Sequence, residues 1–367
     1  MQKIARSHWT TDPRQALRPG PGFDLTTYDR AGTPAWKGDR PGAETLMAAR
    51  GELLNELQER LFAESRVGGK RNVLIIVQGL DTAGKGGIAR HVMGYLDPQG
   101  VQIKSFGVPT EEERAHHYLW RIRNALPLPG RIGVFDRSHY EDVLVVRVDE
   151  LVEPSVWEPR YEEINAFEKE LTDAGTVVLK FALMVSYEEQ GLRLMDRLDR
   201  PDKHWKYSLS DLRTRAKWDK YQEAYQAVLD RTNTDHAPWH VVPADHKWFP
   251  RLAVTEVLTR TMADMDLGWP QVSWNDDEQR AAVAATLSTK SLVKSLIGTR
   301  ANVSAAIEES IEVRADSAEL IDSNPDLSRR RIEAKRATLM AEMEQNIAHK
   351  RQLLTDRDDA PTPLPQG

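Results

Sequence analysis

The hydrophobic residues of the chain are grouped into short β-branched runs that alternate with longer amphipathic stretches. The run NVLIIV at residues 72–77 is bounded by polar and glycine residues. Such a run predicts a strand that is buried on both faces of a parallel sheet. By the same pattern, further strands are predicted at residues 101–108, 130–136, 176–185 and 239–244. Strands that alternate with helices predict an α/β fold with a doubly wound parallel sheet and helices on both faces.

Helices are predicted where apolar residues recur at helical spacing. A helix from Ala43 to about Glu64 is predicted by the spacing of Leu46, Leu53, Leu54, Leu57 and Leu61. Residues 111–126 and 153–175 are each predicted to be helical, and one long charged helix is predicted to follow Asp326.

Changes in composition divide the chain into three parts. Residues 1–42 are rich in Gly, Pro and Thr and predict an extended N-terminal arm. Residues 43–275 contain the predicted sheet. Residues 276–367 predict a helical C-terminal extension whose last residues, 359–367, are expected to be disordered. The long helix of this extension could mediate oligomerisation or only cover the sheet domain.

Composition and charge exclude several classes of protein. The net charge of -6 argues against a general nucleic-acid binder, so a site for a polyanion must be a local basic patch. The sequence has no cysteine, which excludes disulfides, thiolate metal sites and a cysteine nucleophile. No apolar run approaches the roughly 20 residues that span a bilayer, and the first residues do not resemble a secretory signal. A cytoplasmic protein without a membrane partner is expected.

A phosphate-binding loop is predicted directly after the first strand. Residues Gly79 to Lys85 have the spacing G-x-x-x-x-G-K between a predicted strand and a predicted helix. In such a loop, backbone N–H groups and the start of the helix surround phosphate oxygens while the lysine adds a mobile charge. The predicted phosphate-binding residues are Gly79, Thr82, Ala83, Gly84, Lys85, Gly86 and Gly87. The alternative is a glycine-rich turn in an ordinary βα unit.

The loop lacks the hydroxyl residue that usually binds magnesium. Gly86 stands at that position, so another ligand is required. Asp81 lies inside the loop, where phosphates would repel a carboxylate unless a cation lay between them. Asp136 ends the third predicted strand, which is the position of a Walker B acid, although it could also be only a strand-ending residue. The sequence therefore predicts that Asp81 and Asp136 bind the metal.

Several segments together resemble the polyphosphate kinase 2 family, and its class III branch most of all. From about Phe23 to about Pro270 the chain contains, in order, QGLDTAGKGG, SFGVPTEEE, YLWRI, DRSHYEDVLVVRV, KHWKYSLSDL, WDKYQEAY and APWHVVPADHKWF. The resemblance implies a P-loop kinase-like domain at residues 43–275 with a helical lid at about 188–215. It implies reversible phosphoryl transfer between inorganic polyphosphate and AMP or ADP to give ATP, with Mg²⁺ or Mn²⁺ as cofactor. Other nucleotides are conceivable acceptors, and a homo-oligomer, either a dimer or a tetramer, is expected.

The resemblance and the chemistry of phosphoryl transfer together suggest roles for individual residues. Asp81, Lys85, Asp136 and Arg137 are expected at the reacting phosphates. Arg193 and Arg197 are four residues apart and should share one face of a lid helix, where they would reach the phosphates or, alternatively, only pair with neighbouring acids. A basic groove for polyphosphate is expected to contain Arg90, Arg121, Arg123, Lys203 and Lys206.

Other functions remain as alternatives. The first is an ATP-dependent nucleotide or small-molecule kinase on the same fold, which would differ only in its phosphoryl donor. A P-loop switch protein would bind nucleotide without turnover, but the chain has no N-K-x-D signature. A structural role of the C-terminal helices would leave the loop residues unexplained.

Overall fold

The computed structural model describes residues 8–321 and 325–358, and it contains the predicted parallel sheet. The five strands lie in the order β2-β3-β1-β4-β5, and each pair of neighbours is parallel. The strands are β1 (Asn72–Gln78), β2 (Val101–Ser105), β3 (Ile132–Asp136), β4 (Thr176–Met184) and β5 (Trp239–Pro243). All five predicted strands are present, and the α/β prediction is confirmed.

Helices connect and flank the strands. The first half of the described chain contains α1 (Pro13–Ala16), α2 (Arg40–Arg66), α3 (Lys85–His91), α4 (Glu111–Ala115), α5 (Trp120–Arg123), α6 (Val145–Val148), α7 (Pro154–Trp157) and α8 (Arg160–Asp173). The second half contains α9 (Tyr187–Asp199), α10 (Leu209–Ala216), α11 (Trp218–Thr232), α12 (Trp248–Asp264), α13 (Asp276–Thr286), α14 (Thr289–Ile321) and α15 (Pro325–Asp358).

Two segments predicted as single helices are each broken in the structure. Residues 111–126 form α4 and α5, because His116 is extended (φ -112°, ψ 168°) and ends the first helix. Residues 153–175 form α7 and α8, which are separated at Pro159. Proline has no N–H, so Pro159 cannot donate the hydrogen bond that would continue α7, and α8 begins after it.

The register of the strands brings their carboxyl ends to one edge of the sheet. Val77 of β1 pairs with Asp136 of β3, which also pairs with Ser105 of β2. On the other side of β1, Gln78 pairs with Ala182 of β4. The loops that follow β1, β3, β4 and β5 therefore begin at the same edge, which is where ligands bind in open parallel sheets.

The N-terminal segment protects one side edge of the sheet. The carbonyl of Leu17 accepts a hydrogen bond from the Val241 amide of β5 at 2.8 Å, and the hydroxyl of Tyr28 donates to the Val241 carbonyl at 2.9 Å. Leu25 and Trp36 are buried. Because an edge strand offers unpaired backbone groups, these bonds cover a site at which other chains could otherwise pair.

The described residues form two compact units that meet in the sequence at Trp269 and Pro270. The second unit contains α13, α14 and α15, with a small core of Ile307, Met343 and Ile347. The expected disordered end at 359–367 lies outside the described residues. No described helix is both long enough and apolar enough to cross a membrane.

Candidate active site

The loop between β1 and α3 has the conformation of a phosphate-binding loop. Gly84 and Thr82 have positive φ angles of 113° and 68°. A β-carbon on Gly79 would lie only 2.7 Å from the Leu183 carbonyl oxygen, so the loop can approach β4 closely only with glycine there. Ala83, which belongs to the loop, is buried, and its amide donates to the Leu80 carbonyl at 3.0 Å.

Lys85 lies over this loop. Its Nζ donates to the Gly79 carbonyl at 2.7 Å and is 3.4 Å from the Leu80 carbonyl. The side chain is half-buried and carries a charge that could neutralise a phosphate held by the loop.

Beside the two glycines after Lys85 there is space that almost no protein atom occupies. A β-carbon on Gly86 would meet no atom within 4 Å. A β-carbon on Gly87 would meet only the Arg251 guanidinium, with Nε at 3.9 Å. Packing therefore does not explain the missing side chains, and the space beside Lys85 is available to a ligand.

Acidic side chains surround Arg137 at the carboxyl edge of the sheet. Arg137 directly follows Asp136 and has a positive φ of 64°, an unusual conformation for arginine that often occurs at functional sites. Its Nη2 donates to Asp81 Oδ1 at 3.2 Å. Burial alone would lower the pKa of Arg137, but the carboxylates of Glu141, Asp81 and Asp136 outweigh it and raise the pKa.

Glu141 belongs to this site although the sequence reasoning did not select it. It lies in the short 3-10 helix His139–Asp142, five residues after Asp136. Burial raises the pKa of Glu141, and the charges of Arg137 and Lys85 oppose the rise. When the buried Gln78 amide is turned so that its nitrogen faces Glu141, that nitrogen donates to Glu141 Oε1 at 3.0 Å. The signal in the sequence was the second acidic residue of DRSHYE, which reaches the site because a single helical turn follows the strand.

The carboxylates suit a divalent cation that is shared with a phosphate. Within residues 8–321 and 325–358, no group of three or more His, Asp or Glu side chains converges into a complete metal cage. Magnesium in kinases is usually held by one or two carboxylates together with substrate phosphate oxygens and water. Asp81 and Asp136 carry hard oxygen donors of the kind that such a site uses.

The predicted lid segment contains α9, the 3-10 helix Pro201–Lys206 and α10. Helix α9 is bonded to the phosphate loop through two buried polar side chains. Gln190 Nε2 donates to the Asp81 carbonyl at 3.2 Å, and Arg193 Nη1 donates to the Thr82 carbonyl at 2.9 Å. Each of these bonds joins α9 directly to the backbone of the loop.

Arg193 also reaches the chain that follows β5. Its Nη2 donates to the carbonyls of Ala244 at 2.6 Å and Asp245 at 2.8 Å, while Nε donates to Glu189 at 2.7 Å. Arg193 therefore pairs with one neighbouring acid and binds three backbone carbonyls.

Arg197 makes its contacts inside the lid segment. Its Nη1 donates to the Lys206 carbonyl at 2.9 Å and to Asp211 Oδ2 at 3.0 Å. Burial and the nearby charge of Asp81 raise the pKa of Asp211.

The residues expected in the polyphosphate groove have different environments. Arg121 is buried and donates to the Gly107 carbonyl at 2.9 Å, with Glu113 and Asp142 each 3.8 Å away. Both terminal nitrogens of Arg123 bond Glu170 at 2.7 Å.

The other three groove residues lie in the 3-10 helix Pro201–Lys206 and on α3. Lys203 pairs with Asp196 at 2.6 Å. Lys206 lies over the exposed ring of Trp205. Arg90 is exposed on α3. Of the five residues, Arg90 is the one that lies on the helix of the phosphate loop itself.

A parallel sheet with a phosphate loop after its first strand and carboxylates at the same edge defines a P-loop kinase-like protein. The family model described as polyphosphate kinase 2 matches residues 40–268. This chain belongs to the polyphosphate kinase 2 family, whose kinases generally depend on a divalent metal ion.

Named relatives and a solved structure are similar over most of the chain. The AMP/ADP-polyphosphate phosphotransferase of Meiothermus ruber is 44% identical over 255 residues, covering 70% of this chain and 94% of that protein. The ADP-polyphosphate phosphotransferase of Rhodopseudomonas palustris is 40% identical over 240 residues, covering 62% and 82%. The crystal structure of polyphosphate kinase 2 from Arthrobacter aurescens TC1 has a TM-score of 0.75 at 46% identity, covering 77% of this chain and all of that one.

Proposed function

We propose that this protein is a polyphosphate-dependent nucleotide kinase that transfers a phosphoryl group between inorganic polyphosphate and AMP or ADP, reversibly and with Mg²⁺ or Mn²⁺. The observation that carries the proposal is a phosphate loop in which a carboxylate, Asp81, replaces the usual hydroxyl and lies beside Arg137. The names of the Meiothermus and Rhodopseudomonas relatives support polyphosphate as the donor. The first of these names includes AMP as well as ADP and supports the wider, class III range of acceptors.

The metal ion would be held by Asp81 and Asp136, while Glu141 acts on the charge of Arg137. When bound, it would neutralise charge on the phosphates between which the phosphoryl group passes. The protein's own contribution is to position and neutralise those phosphates, because phosphoryl transfer requires little covalent chemistry from the enzyme.

The cationic groups have distinct tasks in this proposal. Lys85 and the amides of the loop bind the donor phosphates, and Arg137 lies between the acids and these phosphates. Arg197, which is partly exposed, contacts the transferring group when the lid closes. Arg193 acts through the loop, because three of its four hydrogen bonds hold backbone carbonyls in place.

The test uses the purified full-length protein with Mg²⁺ and long-chain polyphosphate. ADP is supplied in one reaction and AMP in another, and nucleotides are followed by chromatography. We expect ATP from both reactions and a loss of at least about a hundredfold in Lys85→Ala, because removing one preorganised charge from a phosphoryl-transfer site has effects of this order. The exposed Arg66→Ala variant is the control and should keep full activity.

Each other result has a definite meaning. ATP from ADP alone would retain the polyphosphate donor and reject the class III acceptor range. If polyphosphate changes no nucleotide but ATP is consumed once other acceptors are offered, the protein is an ATP-dependent kinase on the same fold. The expected dimer or tetramer is tested separately by sedimentation of the full chain, where a monomer mass would reject it.

A further inference from the structure

Two opposite charges are buried beneath residues 137–142, which we call the β3 turn. Lys180 of β4 and Glu168 of α8 form the buried pair, and neither side chain is exposed to solvent. Lys180 Nζ donates to Glu168 Oε2 at 2.6 Å and to the Thr232 carbonyl of α11 at 2.8 Å. The hydroxyl of Tyr140, which belongs to the β3 turn, accepts from Lys180 Nζ at 2.8 Å and donates to Glu168 Oε1 at 2.8 Å. The buried pair therefore joins the β3 turn to one strand and two helices of the core.

His139 adds a second contact between the β3 turn and Glu168. Its ring is buried, and Nε2 is 3.3 Å from Glu168 Oε1. A carboxylate only accepts hydrogen bonds, so the imidazole proton lies on Nε2. Burial alone would raise the pKa of Glu168, but the charge of Lys180 and the hydrogen bond from His139 outweigh it and lower the pKa. Glu168 therefore stays ionised and holds two side chains of the β3 turn.

Stability alone does not explain charged groups at this place in the core. The cost of removing two charges from water is about as large as their attraction, and apolar residues of similar size often stabilise a core equally well. The charges do add direction, because a hydrogen bond fixes both the distance and the angle between two groups. The oxygen of Tyr140 is fixed in this way from two sides, by one donor and one acceptor.

The β3 turn carries two charged residues of the candidate active site. Arg137 comes three residues before Tyr140, and Glu141 directly follows Tyr140. Arg137 has a φ of 64°, and a residue in this region keeps its conformation only where the surrounding structure fixes the backbone. The Arg137 amide donates to the Val77 carbonyl at 3.2 Å, which fixes the start of the turn. The contacts of His139 and Tyr140 with the buried pair fix the residues that follow.

We propose that Tyr140 is a positioning residue for phosphoryl transfer and that it acts through Arg137. Its hydroxyl, held by the buried pair, keeps the β3 turn in the conformation that directs Arg137 towards Asp81. The inference rests on the proposed function, in which Arg137 lies between the acids and the reacting phosphates. Without the hydroxyl, the turn can relax to a commoner backbone conformation, and the guanidinium then leaves its place 3.2 Å from Asp81 Oδ1. Tyr140 is fully buried, so it acts on the substrates only through another residue.

The test removes a single oxygen atom from the full-length protein. Tyr140→Phe keeps the buried ring and leaves Lys180 bonded to Glu168 and to a backbone carbonyl, so neither charge of the buried pair is left alone. Tyr28→Phe is the matched control, because the Tyr28 hydroxyl also makes an internal hydrogen bond, to the Val241 carbonyl at 2.9 Å, but lies outside the β3 turn. Thermal unfolding is measured for both variants, and each melting temperature should fall by a few degrees.

A double-mutant cycle then asks whether Tyr140 acts through Arg137. The values of kcat and of KM for ADP and long-chain polyphosphate are measured in the wild type, Tyr140→Phe, Arg137→Ala and the double variant. A luminescent assay for ATP is used because it detects the slow turnover of Arg137→Ala. Residues that act independently lower kcat by factors that multiply, whereas a residue that acts through another has little effect once that other residue is gone.

In Tyr140→Phe we expect kcat to fall about tenfold. A displacement of about 1 Å at a reacting site costs up to about a hundredfold in rate, and the hydrogen bond between the side chains of Ser138 and Gln78 still limits the movement of the turn. Each KM should change less than about twofold, because the phosphate loop is untouched. In the Arg137→Ala protein the same change should lower kcat less than about twofold. Tyr28→Phe should keep the kcat of the wild type.

Four results would overturn the inference. They are full kcat in Tyr140→Phe, an equal loss of kcat in Tyr28→Phe, a raised KM with unchanged kcat in Tyr140→Phe, and the same loss from Tyr140→Phe whether or not Arg137 is present. If the wild type makes no ATP from polyphosphate of any length, the proposed function itself fails and the inference with it. If the wild type is active and one of the four results is found, only the inference fails.

Discussion

Arg193 offers a direct test of how the lid is attached to the phosphate loop. Its side chain is 6% exposed and donates to three backbone carbonyls, one in the loop and two in the segment after β5. Replacing it with methionine keeps a long apolar stem in the space but removes all three donors. The Arg193→Met protein should lose both stability and activity, because Thr82 and the loop that contains Asp81 are no longer fixed.

The expected size of the effect follows from these bonds. A hydrogen bond from a charged donor contributes at least about 1.5 kcal/mol, and a buried carbonyl left without a partner adds its own cost. We therefore expect a loss of about 4 kcal/mol in the free energy of unfolding. For a domain of this size, 1 kcal/mol corresponds to roughly 2–4 °C, so the melting temperature should fall by roughly 10 °C. Arg193→Lys should recover little, because an ammonium cannot bond acceptors in three directions as the guanidinium fork does.

The assay is calorimetry of the full chain without ligands, together with kcat for ATP formation. Arg197→Met is the matched control, since Arg197 lies on the same helix but bonds only acceptors within the lid, the Lys206 carbonyl and Asp211. Its loss of stability should be about 1 kcal/mol or less. If Arg193→Met melts with the wild type while kcat falls, Arg193 contacts the phosphates directly and the argument from its backbone bonds is refuted.

Three further predictions concern the metal, the loop and acid stability. Asp81→Asn should raise the Mg²⁺ concentration for half-maximal activity at least about tenfold, and an unchanged magnesium titration would remove Asp81 from the metal site. Gly79→Ala should lower the melting temperature because its β-carbon would lie 2.7 Å from the Leu183 carbonyl, whereas Gly86→Ala should melt like the wild type because nothing lies within 4 Å. Burial lowers the pKa of His240 to about 4. The unfolded chain, with a histidine pKa near 6.5, binds more protons than the folded chain between these values. His240 should therefore contribute fully above about pH 6.5, and about 3 kcal/mol of stability should be lost as the pH falls from there to about 4. His240→Gln should flatten that part of the stability curve, and an identical acid profile would contradict the assignment.

Strands β1, β3, β4 and β5 were predictable because buried parallel strands need largely apolar runs. The residues at which the strands end were less predictable. Residues 101–108 were predicted as one strand, yet β2 ends at Ser105, because Ser105 pairs with Asp136 and its partner β3 ends there. The length of an edge strand is therefore set by the neighbouring strand, which local pattern does not reveal.

The environment of the predicted groove residues depended on distant partners. Arg121 and Arg123 stand in a basic sequence, which favoured a polyanion site. In the structure Arg123 bonds Glu170, 47 residues away, and Arg121 is held near Asp142. A cluster of cations in sequence carries no information about such acids, because parallel connections bring together segments that are far apart in the chain.

The site itself combines a local motif with contacts that only the topology provides. The loop from Gly79 to Gly87 is contiguous, so its spacing alone was sufficient to predict it. Arg137 and Glu141 follow β3 in the chain, Arg193 follows β4 and Arg251 follows β5. The segments after these strands begin at the same edge of the sheet because the strands are parallel. The topology predicts which connections supply the site but not which side chains do so. The assignment of a basic residue to polyphosphate therefore depends on contacts that only the folded chain shows, such as those that hold Arg121 near Glu113 and Asp142.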